Sequence, residues 1–353
     1  METASPAPAN SSEIPSDPLA GAKFALHMLF LIILSATSIL GMIGNGLVIW
    51  VTSFRMPQNI TKIWFLNLAV ADFTFTAFLP IKVATLALGH WPLGQLACKL
   101  YHTLSMLNMF ASVFLLTLVS VDRCLCILQP LLARNHRTQC RVTLVAIGAW
   151  VLALGFSGPY LVYRETHTDP VTGLTYCYNN YNAWPEVTEN WMEQIERVMR
   201  RYRIQVTVNF VAGFAGPLLI ICGCSGLSVA KLKAGRQSMR SNRPFQVLIA
   251  VVMAFFCCWF PLHLVTIWEL IANLKNTQGH GLLAYLSMPA FILASANSCL
   301  NPILYSFIGK NFRQHLLCSM TSVLQQALEE DSKTGRTARN TTSELQEIRP
   351  LGP

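Results

Sequence analysis

The stretch CKLYHTLSMLNMFASVFLLTLVSVDRCLCILQP, from Cys98 to Pro130, decides the fold. It is a long apolar helix candidate with a cysteine at one end and the charged pair Asp122-Arg123 at the other. A charge pair so close to an apolar span is costly unless it lies at a membrane edge or against partner helices. The cysteine lies about one bilayer thickness away, which favours an oxidising compartment at that end. The stretch therefore predicts a helix that crosses a membrane.

The composition of the chain is also that of a membrane protein. Hydrophobic residues make up 53% of the 353 residues, charged residues only 12%, and the mean hydropathy is +0.43. A soluble domain has roughly 25% charged residues. The net charge of +9 lies in short basic clusters between apolar runs, as in proteins that orient in a membrane by positive loops. We therefore expect no nucleic-acid partner.

Seven apolar runs are long enough to span a bilayer, which predicts an all-α membrane protein with a seven-helix bundle. They cover 26–51, 63–88, the opening stretch, 142–162, a run from about Arg200 after an amphipathic lead-in, 247–271 and 282–307. Two alternating runs around Pro170 to Gly173 predict a β-hairpin between the fourth and fifth spans. We expect an N-terminal tail at 1–25 without a cleavable signal peptide, the bundle at 26–308, an amphipathic membrane-surface helix at 309–325 and a disordered tail at 326–353.

Basic residues mark one set of loops as cytoplasmic by the positive-inside rule. They are Arg55, Lys62, Arg134, Arg137, Arg141, Lys231, Lys233, Arg236, Arg240 and Arg243. This orientation places the N-terminus outside, with a glycosylation sequon at Asn10, and the C-terminus inside, with Cys318 as a palmitoylation candidate. Cys98 and Cys177 also fall outside. Since the other nine cysteines lie in apolar or cytoplasmic stretches, elimination favours a disulfide between these two.

Landmark residues in the spans resemble those of a rhodopsin-type G-protein-coupled receptor of the plasma membrane. They are Gly44-Asn45, Leu68 with Asp72, Cys98, Asp122-Arg123, Trp150, Cys177, Pro217, Phe255 with Cys258-Trp259 and Pro261, and Asn301-Pro302 with Tyr305. The strings WFLNLAVADF, NMFASVFLL, DRCLC, ARNHRT and NSCLNPILY are similar to the chemoattractant branch, which includes the formyl peptide, chemerin, resolvin D1 and second prostaglandin D2 receptors. The start METAS and the string LQQALEEDS most resemble the formyl peptide group.

The resemblance implies a sodium and water pocket in the middle of the bundle. Its residues are Asp72, Asn108, Ser112, Asn297 and Asn301. A carboxylate at this depth needs partners or a cation, and a purely structural polar network is the alternative. Apart from this sodium ion we expect no cofactor.

The resemblance also assigns the activation machinery. Arg123 is expected to be held by local pairing with Asp122 and released to meet the G protein, with an interfacial snorkelling Arg as the alternative. Trp259 beside Pro261 is a candidate kink and rotamer switch, or plain packing. Asn301-Pro302 offers a second kink from which Tyr305 swings inward.

Lys82, well inside the second span, indicates the ligand. A buried Lys without a carboxylate in reach favours an anionic guest, and snorkelling to the outer interface is the alternative. The residues expected near it are His102, Ser105, Met106, Gln205, Asn209, His263 and Glu269, with Arg164 and Arg203 at the mouth. Formyl peptide receptors carry an Asp and two Arg where this chain has Met106, Gln205 and Asn209, which argues against high affinity for formyl-Met peptides.

These features predict a chemoattractant receptor that binds a peptide or anionic lipid mediator, couples to inhibitory G proteins and drives leukocyte chemotaxis in inflammation. Receptor kinases and arrestin are expected to act on the Ser- and Thr-rich tail, and membrane lipids surround the bundle. A resolvin or oxylipin receptor is one alternative. An arrestin-biased scavenger is another, because Ser225 replaces the usual fifth-helix Tyr. The odd span count without an inverted repeat disfavours a transporter, and the absence of metal or triad spacing disfavours an enzyme.

Overall fold

The computed structural model describes residues 20–182, 190–234, 243–275 and 280–308, with the backbone alone at some helix ends. The helices are α1 Ala20–Phe54, α2 Ile60–Leu88, α3 Gly94–Leu128, α4 Pro130–His136, α5 Gln139–Ser157, α6 Pro159–Tyr163, α7 Trp191–Phe210, α8 Gly216–Ala234, α9 Arg243–Lys275 and α10 His280–Ile308. A π-helical segment, Val211–Ala215, joins α7 to α8, and the strands are β1 Arg164–Thr168 and β2 Thr175–Asn179. The predicted surface helix and both tails, with Asn10 and Cys318, lie outside the described residues.

The long helices form the predicted membrane bundle. Six helical segments in the described residues are long and apolar enough to cross a membrane. α10 has 29 residues, or about 40 Å at 1.5 Å per residue, which is more than a bilayer core needs. It packs against α1, α2 and α9. The prediction of a seven-helix bundle is therefore confirmed.

α3 is the central helix of the bundle. It contacts α2, α4, α5, α6, α8, α9 and β1, and most of its side chains from Cys98 to Ser120 are buried. Phe110, Val113 and Leu115 on this helix are fully buried in the main hydrophobic cluster. Because its neighbours surround it, α3 is the element against which both ends of the bundle are positioned.

Small residues let α1 lie close to its neighbours. A Cβ atom added to Gly44 would lie 3.1 Å from the side chain of Pro302 on α10. One added to Gly41 would overlap the side chain of Thr76 on α2. Such close backbone approach is what glycines provide between membrane helices, where packing rather than the hydrophobic effect drives association.

The π-helical segment was not predicted. The N–H of Gly216 donates to the carbonyl of Val211, five residues earlier, and Pro217 has no N–H with which to continue the α-helical ladder. A Cβ atom at Gly216 would lie 2.9 Å from that carbonyl oxygen, so glycine permits the turn. Apolar periodicity does not reveal a single inserted residue.

The loop after α3 contains α4, a short helix that was expected only as a basic loop. Pro130 begins it, at the position where the fixed φ of proline suits a first turn and its missing N–H costs nothing. Thr138 then caps the start of α5 by accepting a hydrogen bond from the N–H of Arg141 at 3.4 Å.

The predicted β-hairpin is confirmed, with Thr166 opposite Cys177 in antiparallel register. The turn needs a left-handed residue, and Gly173 supplies it with a φ of 69°. The carboxylate of Asp169 accepts a hydrogen bond from the N–H of Val171 at 2.8 Å, which lowers the pKa of this exposed acid. Contacts within the turn therefore stabilise the hairpin independently of its contacts with the bundle.

We expect Gly41→Val to destabilise the bundle, because its added side chain has no room beside Thr76. Overpacking of this kind costs about 1–3 kcal/mol. The measurement is the midpoint of thermal unfolding of the purified protein in detergent. Gly148→Val is the matched control, since nothing lies within 4 Å of a Cβ atom at Gly148. Equal midpoints for the two variants would contradict the close approach of α1 and α2.

Candidate functional site

The disulfide fixes the hairpin over one end of α3. Cys98 and Cys177 are bonded, with Cα atoms 5.8 Å apart, as predicted. The N–H of Trp91, which precedes α3, donates to the carbonyl of Thr175 on β2 at 2.7 Å. β1 therefore lies against α3, and Arg164 is the first residue of that strand.

Lys82 on α2 and Arg164 at the start of β1 are two cations at the hairpin end of the bundle. The Nζ atom of Lys82 lies 5.6 Å from the ring centre of Phe291, and the guanidinium of Arg164 lies 6.0 Å from that of Tyr160. The two charges are close enough to repel each other. The Nε atom of Arg164 is buried without a hydrogen-bond partner, and burial lowers the pKa of this guanidinium. The ion pair seen among the described residues joins Arg137 to Asp122, at the other end of α3. No carboxylate of the described residues therefore neutralises Lys82 or Arg164.

His102 lies next to Tyr101 and Trp91 at the same end of the bundle. Its ring packs edge-on against Tyr101 with 5.0 Å between the ring centres, and it lies 6.4 Å from the ring of Trp91. The charges of Lys82 and Arg164 both reach it. The site therefore combines two cations with an aromatic wall.

Met106, Gln205 and Asn209, the three positions where the resemblance implies charges, are neutral here. Gln205 donates to the side-chain oxygen of Asn209 at 3.0 Å, and Asn209 donates to the hydroxyl of Tyr160 at 2.7 Å. Met106 packs against the main hydrophobic cluster. The floor of the site is thus apolar on α3 and an uncharged hydrogen-bonded chain on α7.

Arg203 does not lie at the mouth, which corrects the prediction. It is exposed, and its Nε atom donates to the carbonyl of Met199 in its own helix at 3.3 Å. Two residues correspond to about 200° around a helix, so Arg203 points outward where Gln205 points inward. Arg201, one turn before Gln205, takes the inner position and donates to the carbonyl of Tyr181 at 2.9 Å. The spacing of four residues from Gln205 was the signal that sequence reasoning missed.

We call the region of the predicted ligand residues, from Lys82 and Arg164 to Met106 and Gln205, the ligand chamber. Three further residues predicted for it differ in burial. His263 is buried next to the rings of Phe214 and Trp259, and its Nε2 atom has no hydrogen-bond partner. Ser105 donates to the carbonyl of Tyr101 in its own helix, so its hydroxyl is already engaged. Glu269 is exposed. Of these three side chains, only His263 combines burial with an unused polar atom.

Asp72 is the centre of a polar cluster deep in the bundle. Its fully buried carboxylate accepts hydrogen bonds from Asn108 on α3 at 3.1 Å and from Asn301 on α10 at 2.7 Å. Ser112 lies one turn from Asn108, and Asn297 one turn from Asn301. The Ser112 hydroxyl and the side-chain oxygen of Asn297 are buried without partners. The structure thus joins Asp72, Asn108 and Asn301 by hydrogen bonds, and Ser112 and Asn297 each lie one helical turn from one of these residues.

The predicted switch residues lie on α9 and α10. Trp259 is buried with its indole N–H unpartnered, and its ring centre lies 6.5 Å from that of His263. Pro261 lies inside α9 and Pro302 inside α10, at the expected kink positions. The side chain of Tyr305 lies outside the described residues.

At the opposite end of α3, Asp122 pairs with Arg137 rather than with Arg123. The Nε and Nη2 atoms of Arg137 donate to its two oxygens at 2.6 and 2.8 Å. Arg123 instead donates to the hydroxyl of Thr61, at the start of α2, at 2.9 Å. The expected local pairing is therefore replaced, because α4 brings Arg137 within reach and its planar guanidinium fits both carboxylate oxygens. Burial lowers the pKa of Arg137, but Asp122 outweighs that effect and raises it.

Comparison with known proteins agrees with this geometry. A family model for seven-transmembrane receptors of the rhodopsin family matches residues 44–305. The chain is 42% identical to human N-formyl peptide receptor 2 over 352 residues, which are 97% of each chain. It is 41% identical to mouse formyl peptide receptor 2 over 326 residues, or 90% of each chain. A third relative, mouse formyl peptide receptor-related sequence 6, is 41% identical over 85% of this chain and 87% of that one.

The chain belongs to the rhodopsin family of seven-transmembrane receptors. The resemblance to formyl peptide receptors is confirmed over nearly the whole length. The protein is therefore a multi-pass G-protein-coupled receptor of the plasma membrane and not an enzyme.

The Asp122–Arg137 pair predicts non-additive stability effects in this receptor. We expect Asp122→Asn and Arg137→Gln each to lower the midpoint of thermal unfolding, since hydrogen bonds to charged groups contribute about 1.5–3 kcal/mol. The double variant should be little worse than the poorer single variant. Arg134→Gln, at an exposed position on α4, is the control and should match the wild type. Strictly additive losses would show that the two side chains do not interact.

Proposed function

We propose that the receptor has its disulfide-bonded end outside the cell, binds an anionic peptide or lipid mediator there, and activates inhibitory G proteins at the Arg123 end. The proposal rests on the cation pair of Lys82 and Arg164. Two converging cations without a counter-ion are costly at a half-buried site. An anionic group that neutralises Lys82 and Arg164 removes this unfavourable energy when it binds. A free carboxylate is therefore favoured as the recognised group.

The neutral floor narrows the ligand class further. The relatives are named for formyl peptides, and the resemblance assigns charged contacts to positions that here hold Met106, Gln205 and Asn209. The chain cannot supply those contacts, whereas Met106 and the aromatic wall suit an apolar chain or side chain. We therefore favour a ligand with one carboxylate and an apolar body, such as a peptide C-terminus or an oxylipin, over formyl-Met peptides.

Lys82→Gln and Arg164→Gln should each lower ligand potency by at least about tenfold, because loss of one partner of a buried charge pair is expensive. The measurement is inhibition of cyclic AMP formation by hits from a screen of peptides and oxylipins. Each peptide hit is compared with its C-terminal amide, and each oxylipin with its methyl ester. Those uncharged forms should be weak on the wild type and insensitive to either substitution.

Arg203→Gln provides the matched control, since it removes a cation of the same helix bundle that points away from the chamber. Its potencies should equal those of the wild type. If Arg203→Gln weakened the ligand as much as Lys82→Gln, general attraction between charges would explain the result. If Lys82→Gln had no effect, the anion site would be refuted.

A sodium ion is proposed to stabilise the inactive bundle at Asp72. The donor set fits a hard cation, since a buried carboxylate lies near hydroxyl and amide oxygens that lack partners, those of Ser112 and Asn297. The Ser298 hydroxyl, which influences the Asp72 carboxyl, is also buried without a hydrogen-bond partner. The ion supplies a positive charge, while Asn108 and Asn301 hold the carboxylate in place between α3 and α10.

Raising sodium should therefore lower agonist affinity in the wild type by about fivefold or more, a usual range for coupling between sites. Asp72→Asn should abolish this dependence, because it removes the charge and keeps the shape. Choline chloride at equal ionic strength is the control salt. The same salt response in wild type and Asp72→Asn would leave a purely structural polar network as the explanation.

Signalling is proposed to release Arg123 from Thr61. In the present arrangement Asp122 is already engaged by Arg137, and the described partner of the Arg123 guanidinium is the uncharged hydroxyl of Thr61 rather than a carboxylate. A movement of α3 relative to α2 is enough to free it for the G protein. Receptor kinases and arrestin are proposed to act on the cytoplasmic tail, where phosphates add charge.

A scavenger function is the second candidate, favoured by Ser225. This residue stands on α8 where the family has a Tyr that reaches towards the Arg, and a serine is too short to do so. Arrestin recruitment without inhibition of cyclic AMP formation would support the scavenger. Ligand-stimulated inhibition that is lost in Arg123→Gln would support the signalling receptor.

A further inference from the structure

A cavity of about 300 Å³ lies at the Asp122 end of the bundle, between α2, α3, α4 and α5. It is far from the ligand chamber along α3 and plays no part in the proposed ligand recognition. Its walls are mainly apolar, with Leu125 and Leu132 partly open to the surroundings. In the proposed orientation this cavity faces the cytoplasmic leaflet of the membrane.

The rim of the cavity carries an unneutralised positive charge. Arg137 and Arg141 both line it, together with Asp122. Asp122 is engaged by Arg137 through two hydrogen bonds, so it does not neutralise Arg141. The guanidinium of Arg141 lies 2.8 Å from the ring Nδ1 atom and 3.4 Å from the carbonyl oxygen of His136, and it has no carboxylate partner among the described residues.

A second observation points to an oxygen-bearing ligand. Trp64 on α2 also lines the cavity and is only 2% exposed. Its indole N–H is buried and has no hydrogen-bond partner within the described part of the chain. A buried donor without an acceptor is costly, so an acceptor brought in through the cavity is stabilising.

We propose that this cavity binds an acidic phospholipid of the cytoplasmic leaflet. The phosphate pairs with Arg141 at the rim, an ester oxygen accepts from Trp64, and an acyl chain lies along Leu125 and Leu132. A sterol has no charge for Arg141. A free fatty acid carries both of its acceptor oxygens on one carboxylate, so it has no separate oxygen for Trp64 once that carboxylate pairs with Arg141. Acidic lipids are concentrated in this leaflet and attract basic residues near its surface. The assignment of the leaflet rests on the proposed orientation.

The bound lipid links the membrane to the G-protein end. α4 forms one wall of the cavity through Leu132, Ala133 and His136, and Arg137 directly follows that helix. A lipid between α4 and α3 therefore steadies the loop that holds Asp122. The lipid composition of the cytoplasmic leaflet therefore regulates the Asp122–Arg137 pair, independently of the extracellular ligand.

The test is native mass spectrometry of the purified full-length receptor with dioleoyl phosphatidic acid, dioleoyl phosphatidylcholine or oleate. We expect one tightly retained phosphatidic acid in preference to phosphatidylcholine. Arg141→Gln should reduce this retention by about fivefold, the usual contribution of one basic residue near an anionic surface. Trp64→Phe, which keeps the ring and removes the N–H, should reduce it by a smaller factor of about threefold. Arg134→Gln, an exposed cation outside the cavity, should leave it unchanged.

Equal losses in Arg141→Gln and Arg134→Gln would overturn the site in favour of general surface charge. Retention of oleate equal to that of phosphatidic acid would overturn the phospholipid assignment. Unfolding midpoints in phosphatidylcholine alone serve to show that all three variants are folded. Since no agonist or G protein is present, failure of the proposed signalling function leaves this measurement unaffected, and failure here leaves ligand recognition standing.

Discussion

The burial of one carboxylate, that of Asp72, is the constraint on which the bundle depends. A charge at this depth is stable only if other helices bring donors to it. Asn108 and Asn301 do so from α3 and α10, and this fixes how both helices sit against α2. The small residues of α1 then complete the packing, because Gly44 admits Pro302 of the same α10. Polar satisfaction and close packing therefore specify the same arrangement.

The two ends of α3 use charge in opposite ways. At the hairpin end, no carboxylate of the described residues pairs with Lys82 or Arg164. At the other end, Arg137 engages Asp122, and the described partner of the Arg123 side chain is the hydroxyl of Thr61. Met106 and Gln205, which carry no charge, belong to neither arrangement.

Sequence reasoning reached the bundle, the hairpin and the disulfide because each has a local or compositional signal. Apolar runs of bilayer length predict spans, and alternation around Pro170 to Gly173 predicts paired strands. The partner of Asp122 had no such signal, since it depends on where α4 places Arg137. The prediction for Arg203 was wrong for a different reason. Its position two residues before the inward-facing Gln205 places it on the opposite side of the helix, and the prediction did not take this into account. The pocket around Asp72 was predictable because buried polar residues in apolar spans must find one another.

The π-helical segment from Val211 to Ala215 has a consequence for how this receptor can diverge. A π turn takes one residue more than an α turn, so side chains beyond it are rotated by about 100° relative to an unbroken helix. The face that α7 turns to the chamber and the face that α8 turns to α3 are therefore set separately. Gln205 and Asn209 lie on α7, before the π-helical segment, so substitutions there leave the phase of α8 against α3 unchanged. Because of the inserted residue, the two halves of this continuous helix can accept substitutions independently of each other.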